Sequence, residues 1–403
     1  MMKWLSVVGI GEDGLSGLSA IATAVLEQAE VIVGGNRHLA MLPPDDHREK
    51  ISWTSPLEPT IDEIVARRGK NVCVLASGDP QYHGIGVVLL QRIPITEMTI
   101  IPAPSSFSLA CARLGWALAD VEKISLTTRP PEILPAVLYP GAKILVLSAG
   151  NYTPAKIAGI LSKQGYGNSK ITILERMGGV NERILTTTAN EFNYTDIAAL
   201  NTIAIECIAD KGIVPRSRLA GLPDTAYYHD GQITKSEARA ITLAALAPLP
   251  GQLLWDVGAG CGSISIEWMR SHPNCRAIAI EQDSRRCTYI ADNALSLGVP
   301  SLRIVNGDAP QALASLESPD AVFIGGGLTT IDTFETCWYA LKPGGTLVVN
   351  AVTVESEHLI LNFHHKYGGR LSRINIQRAE PLGKFLSWRS FSPITQWVVN
   401  KTS

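Results

Sequence analysis

The chain has no strong excess of charge of either sign. Its 403 residues carry 35 Lys+Arg and 37 Asp+Glu, a formal net charge of −2. A protein held to nucleic acid by a broad basic face is excluded, and no nucleic-acid partner is expected. Long apolar runs are also missing. None approaches the roughly 18 residues that a membrane-spanning helix needs, so no membrane partner is expected. The first run, from Met1 to Val8, meets Gly9-Ile10-Gly11-Glu12-Asp13 at once and has no small-residue cleavage site. It reads as a first strand and not as a signal peptide. Cysteine is sparse and unpatterned. The seven residues are odd in number, contain no CxxC pair and sit largely inside apolar runs such as Val72-Cys73-Val74. That excludes a disulfide framework and a clustered zinc site. Buried thiols, a reducing cytoplasmic location and no metal are the expectations. Internal repeats and low-complexity segments are absent, and Ser105-Ser106 is not in a nucleophile-elbow pattern.

What is present is an alternation of short apolar strands with longer helical stretches. This predicts α/β architecture with largely parallel sheets. A chain of this length suggests two or three domains at about 150 residues each. The turn-rich stretch near Ala209–Pro215, followed by Gly221-Leu222-Pro223-Asp224, places a boundary at 212/213. Expected strands in the first half are Trp4–Val8, Val31–Val33, Asn71–Ala76, Thr99–Ile101, Lys143–Ser148, Ile171–Glu175 and Thr202–Ile208. In the second half they are Leu253–Val257, Ala277–Glu281, Leu302–Asn306, Ala321–Ile324, Thr346–Asn350, Arg370–Arg378 and Ile394–Val399. The pattern of Ser236–Ala247 predicts a helix with Ala240, Ile241, Ala244 and Ala245 on one face.

The sharpest chemical signal is Asp256-Val257-Gly258-Ala259-Gly260-Cys261-Gly262, a glycine turn between a strand and a helical pattern. Such a turn lets a ligand approach the backbone beside a helix N-terminus. Glu281 follows the next strand, about 20 residues on, where an acid can accept both ribose hydroxyls of an adenosine. Asp308 and Ala309 follow the third strand, where a carboxylate can receive an adenine amine. All three fall on the carboxyl edge of the sheet, where open α/β sheets bind ligands. A dinucleotide enzyme prefers G-x-G-x-x-G. The spacing here is G-x-G-x-G, which favours S-adenosylmethionine and leaves a dinucleotide oxidoreductase as the alternative. Gly325-Gly326-Gly327 leaves room for a broad, flat substrate.

In the first half, Gly9-Ile10-Gly11-Glu12-Asp13-Gly14 matches G-x-G-x-x-G literally. The nearby Glu30 precedes the second strand, so it is badly placed for a ribose. More informative are four loops that follow strands: Gly34-Gly35-Asn36-Arg37-His38, Ser77-Gly78-Asp79-Pro80, Pro104-Ser105-Ser106-Phe107 and Glu175-Arg176-Met177-Gly178. As an ordered set with Val8-Gly9-Ile10-Gly11 they resemble the tetrapyrrole methylase family, in the branch that acts on corrin precursors. The second half resembles the decarboxylating corrin-precursor methyltransferases. It does so through Gly221-Leu222-Pro223-Asp224, the segment Gly231–Arg239, the glycine turn and Gly307-Asp308-Ala309-Pro310. One departure is Cys261, where that family commonly carries Thr.

The resemblance implies a two-lobed tetrapyrrole-methylase domain over residues 1–212 and a Rossmann-like class I methyltransferase domain over 213–403. It implies one S-adenosylmethionine site in each. In the first, Gly9, Gly11, Gly78, Asp79, Ser105 and Ser106 are the cofactor contacts; in the second they are Gly258–Gly262, Glu281, Asp308, Ala309 and Thr234. It further implies methylation of carbons 5 and 15 of a precorrin and loss of carbon dioxide from the carbon-12 acetate, in cobalamin biosynthesis, by a homo-oligomer. Arginine suits a polycarboxylate, which nominates Arg37, Arg113, Arg129, Arg216 and Arg218. Tyr227, Tyr228 and His229 are candidates to cover the second site. No catalytic acid or base is assigned. A non-catalytic tetrapyrrole-binding protein stays open as a further alternative.

Overall fold

The computed structural model describes residues 3–402; Met1 and Met2, which begin the first apolar run, and Ser403 lie outside them. The fold is α/β and divides into two compact units. One comprises Met1–Pro131 and Pro140–Ile213, the other Glu132–Tyr139 and Val214–Ser403.

The first unit holds two five-stranded sheets. One contains β1 (Leu5–Ile10), β2 (Val31–Gly34), β3 (Glu49–Ser52), β4 (Val72–Ser77) and β5 (Met98–Ile101), in the order β3-β2-β4-β1-β5. All its pairs are parallel. Its central strands are apolar on both faces because helices cover both sides. Leu5, Val7, Val31, Val33, Val72 and Val74 point to one core, and Val8, Ile10, Ile32, Cys73 and Leu75 to the other. This is the period of two expected of a strand, with each fully buried side chain worth about 1.5–3 kcal/mol.

The other sheet contains β6 (Glu122–Ser125), β7 (Lys143–Leu147), β8 (Lys170–Glu175), β9 (Arg183–Thr188) and β10 (Asn201–Glu206), in the order β6-β7-β10-β8-β9. Here the parallel expectation fails. Only β6–β7 is parallel, while β10 runs antiparallel to both β7 and β8, and β9 antiparallel to β8. The antiparallel partner β9 has no continuous apolar run and escapes a search for buried strands.

In the second unit the main sheet contains β11 (Leu253–Val257), β12 (Arg276–Glu281), β13 (Arg303–Asn306), β14 (Ala321–Ile324), β15 (Thr346–Ala351), β16 (Arg370–Ile374) and β19 (Ile394–Asn400). The order is β13-β12-β11-β14-β15-β19-β16. The first five are mutually parallel, and β19 is antiparallel to both of its neighbours. Trp255, Ile278, Val322 and Val349 face a core closed by Phe334, Ile360 and Trp397. Leu254, Ala279, Phe323 and Val348 face the opposite one, closed by Ile266, Trp268 and Ile290. The expected single piece Arg370–Arg378 is divided. Its end belongs to β17 (Gln377–Leu382), which pairs with β18 (Phe385–Ser390) as a separate hairpin.

Six of the seven cysteines are buried and Cys287 is partly so; all are free thiols. No helix among the described residues is long and apolar enough to cross a membrane.

Candidate functional site

In the second unit the chain leaves β11 through the glycine turn and enters the helix Ser263–Ser271. Gly258 has φ +72°, and a Cβ there would stand 2.8 Å from the backbone of Gly326. The turns after β11 and β14 therefore touch through bare backbone, which only glycine permits. The Gly260 N–H donates to Glu281 Oε2 (2.8 Å) and the Asp283 N–H to Glu281 Oε1 (3.0 Å). Both carboxylate oxygens are thereby aimed, and each keeps a lone pair for a ligand hydroxyl.

These turns enclose a cavity of about 730 Å³ at the carboxyl edge of the sheet. Its lining includes Thr234, Gly258, Ala259, Gly260, Cys261, Glu281, Asp308 and Ala309, together with Gly325–Gly327. The structure thus brings together every residue nominated for the second cofactor site except Gly262, which caps the following helix beneath the turn. The lining also includes the apolar Val352, Ile374, Ile376, Phe391 and Ile394. The Cys261 thiol is pushed up to about 11 by burial and stays protonated. Asp256 at the end of β11 is buried; its Oδ2 accepts from the Ser265 N–H (3.0 Å) and hydroxyl (2.6 Å). Burial raises its carboxyl to about 6.

Thr234 reaches the cavity on a strap, residues 221–235, held by a buried ion pair. The Arg239 Nε donates to Glu267 Oε1 (2.6 Å), and another guanidinium nitrogen donates to the Thr234 carbonyl. Glu267 also accepts from the Gly221 N–H (2.6 Å), the Leu222 N–H (3.1 Å) and the Tyr227 hydroxyl (2.8 Å). Sequence reasoning missed this pair because its members lie 28 residues apart on two helices. It also misread the helix Ser236–Leu246. The buried side chains are Ala238, Arg239, Thr242, Leu243 and Leu246, and Ile241 is exposed. A polar Arg and Thr face the core because partners wait there. Tyr227 serves this network, Tyr228 is exposed, and neither of them nor His229 lines the cavity.

In the first unit a cavity of about 520 Å³ lies at the ends of β1 and β4. Gly11, Gly78, Asp79, Ser105 and Ser106 line it. Gly9 lies beneath, where a Cβ would stand 2.0 Å from the Gly78 carbonyl oxygen. Ser105 caps the helix Ser106–Leu114 by accepting from the Ser108 N–H (3.1 Å). Arg37, His38, Ser77 and Glu12 form a cluster on the wall. Arg37 pairs with Glu12 and donates to Ser77 Oγ (2.9 Å), while His38 Nε2 lies 3.0 Å from Arg37 and 3.1 Å from Ser77 Oγ. The His38–Ser77 contact was not foreseen, since 39 residues separate its members.

The remaining nominated arginines are not brought to either cavity. Arg113 is held on Glu182 (2.6 Å), and Arg129 donates to the Ser125 carbonyl (3.2 Å). Arg216 donates to the Ser296 carbonyl (3.2 Å) and Arg218 to that of Ala136 (3.4 Å). The cations that do line the cavities are Arg37 and Arg176 in the first, and Lys235 and Arg286 in the second. Arg286 is paired with Asp230 (2.9 Å), whereas Lys235 stands 5.8 Å from the centre of the Phe391 ring.

Comparison with known proteins adds the family. The sequence model for tetrapyrrole (corrin/porphyrin) methylases matches residues 5–193, and that of a precorrin methyltransferase domain matches 225–401. A precorrin-6Y C(5,15)-methyltransferase [decarboxylating] of Sinorhizobium sp. is 48% identical over 98% of this chain and 95% of its own length. The chain belongs to the precorrin-6Y C(5,15)-methyltransferase (decarboxylating) family. A Mycobacterium tuberculosis member is 42% identical over 98% of this chain and 99% of its own. A cobalt-precorrin-7 C(5)-methyltransferase of Salmonella typhimurium is 32% identical over 45% of this chain and 88% of its own. As a member of the precorrin-6Y family, the chain is an S-adenosylmethionine-dependent methyltransferase of cobalamin biosynthesis.

Proposed function

We propose that the chain carries one S-adenosylmethionine site in each unit and methylates a metal-free precorrin twice. On this reading residues 1–212 methylate carbon 5. Residues 213–403 methylate carbon 15 and remove carbon dioxide from the carbon-12 acetate, giving precorrin-8. The observation that carries it is the convergence of Thr234, the glycine turn, Glu281 and Asp308 on one cavity of the second unit. A second support is the convergence of Gly11, Gly78, Asp79, Ser105 and Ser106 on one cavity of the first. The names of the full-length relatives, which mention no cobalt, favour the metal-free substrate. Work in the cytoplasm as a homo-oligomer, without nucleic acid, belongs to the same reading.

The residues fit the cofactor. Glu281 offers acceptors to a ribose, Asp308 to an amine, and the bare backbone at Gly258 and Gly326 admits a close ligand. The cofactor supplies an electrophilic methyl group. What the protein must add is alignment of a ring carbon, which is positioning more than chemistry. The broad glycine floor at Gly325–Gly327 leaves space for a macrocycle in the second cavity, where Lys235 offers charge to its carboxylates; in the first cavity Arg176 offers the same. Val352, Ile374, Ile376 and Phe391 add apolar surface against which a ring can pack, and loss of carbon dioxide from an acetate on that ring leaves an electron pair. The conjugated ring takes the electron pair left behind.

Titration calorimetry of the full chain with S-adenosylhomocysteine tests this. Two molecules per chain are expected. None would overturn the reading, and one would confine the chemistry to a single unit.

A further inference from the structure

Methylation of an unsaturated ring carbon leaves a proton to be removed, and no residue has been assigned to take it. The cluster on the wall of the first cavity is built for that task. His38 is buried, on the short helix Asn36–Leu39 that follows β2, with its Nε2 turned to Ser77 Oγ (3.1 Å) at the end of β4. Arg37 has only donors, so its contact with Nε2 (3.0 Å) identifies Nε2 as the nitrogen with the free electron pair. The Ser77 hydroxyl accepts from Arg37 (2.9 Å) and has its own proton left to give to Nε2. Glu12 holds the other side of the Arg37 guanidinium.

We propose that His38, acting through Ser77, accepts the proton that leaves carbon 5, and that Arg37 gates it by moving onto a substrate carboxylate. The proposal rests on the assignment of carbon-5 methylation to the first unit. The balance is complete. A ring electron pair forms the new carbon–carbon bond to the methyl group donated by S-adenosylmethionine, and the ring is left with a positive charge. The carbon–hydrogen bond then breaks, and its pair returns to the ring. Ser77 takes this proton as it gives its own to Nε2, so His38 ends protonated and Ser77 unchanged. Such a proton is acidic, so a weak base is sufficient.

The surroundings agree. Burial first, and then the charge of Arg37, lower the His38 imidazole to about 4, so it is neutral and able to accept at neutral pH. The other charged or titratable groups on this cavity are Glu12, Asp79, Tyr82, His83 and Arg176. The elements packed against the helix of His38 add Glu49 and Lys50 on β3 and Cys73 on β4. Drawing Arg37 towards a substrate carboxylate removes the nearest positive charge and releases the Nε2 electron pair, so the base is strengthened only when substrate is in place.

The test uses the full chain, S-adenosylmethionine and a precorrin substrate with hydrogen or deuterium at carbon 5. In His38→Gln, kcat for carbon-5 methylation should fall at least tenfold, with KM and S-adenosylhomocysteine affinity within twofold of wild type. A deuterium isotope effect should appear as proton removal becomes limiting, while carbon-15 methylation is unchanged. Ser77→Ala should show the same pattern and decides the matter if His38→Gln loses its cofactor affinity. In Arg37→Ala, nuclear magnetic resonance should show the His38 titration moved upward. Wild-type carbon-5 turnover with no isotope effect in both His38→Gln and Ser77→Ala would overturn the proposal. An unmoved His38 titration in Arg37→Ala would overturn the gate. If the wild-type chain itself leaves carbon 5 unmethylated, the assignment of that reaction fails instead, and the His38 titration still reports on the cluster.

Discussion

Glu281 does two jobs with one carboxylate. It receives the backbone N–H of Gly260 and that of Asp283, and it faces the cavity between them. Replacing it by Gln keeps the shape but turns one oxygen into an N–H donor. That donor then meets either a backbone N–H or the place proposed for a ribose hydroxyl. Loss of a charge-assisted hydrogen bond of this kind is worth about 1.5–3 kcal/mol. Glu281→Gln should therefore weaken S-adenosylhomocysteine binding in the second unit by roughly ten- to hundredfold. The first unit should keep its affinity. Calorimetry on the variant checks this by the survival of one tight step out of two.

At the scale of elements, the strap 221–235 shows how a loop is made rigid enough to present Thr234. Arg239 and Glu267 are both buried, and their pairing satisfies two backbone N–H groups, two carbonyls and a tyrosine hydroxyl. Removing one partner strands the other charge, at a cost of about 3–5 kcal/mol. Glu267→Ala should lower the melting temperature of the second unit by several degrees and speed hydrogen exchange at Gly221 and Leu222. Unchanged exchange there would show that the strap is held by other contacts. The same pair shows where sequence reading stops. The central strands were legible because both faces are apolar, and the grouping of the glycine turn, Glu281 and Asp308 at one sheet edge was legible because strand, turn and acid recur in fixed order. The edge strands β3 and β6 were not. Both read Glu-Lys-Ile-Ser; Ile51 is the sole buried side chain of β3, and Ile124 is buried beside Ser125 in β6. Arg239 was equally invisible, because the charge that draws it into the core lies in a distant helix.

For the whole molecule, the two units carry buried titrating groups of opposite habit. His38 in the first unit titrates at about 4, below the ordinary value of 6.5. Between those values the unfolded chain holds a proton that the folded unit does not. This group therefore makes the first unit more stable as pH rises from 4 to 6.5. Asp256 in the second unit titrates at about 6, above the ordinary 3.8. Here the folded unit holds the extra proton, so the second unit loses stability as pH rises from 4 to 6 and is level above. Either full shift corresponds to a change on the order of 3 kcal/mol. Asp46 and Glu237, one in each unit, are held down at about 2 by Arg48 and Arg378 and stabilise their units as pH rises through the acid range, most of it below about pH 5. His83 in the first unit is also lowered, by burial first and then by the charge of Arg129, and adds to the slope of His38. Hydrogen exchange at pH 4.5 and 6.5, corrected for intrinsic rates, should show β1 and β4 better protected at the higher pH and β11 and β12 at the lower. Asp256→Asn should remove the fall in stability of the second unit and leave the slope of the first intact, and His38→Gln should reduce the slope of the first unit to the part that His83 supplies and leave the second intact. Parallel slopes in the two units, persisting in both variants, would show that neither group governs the pH response of its unit.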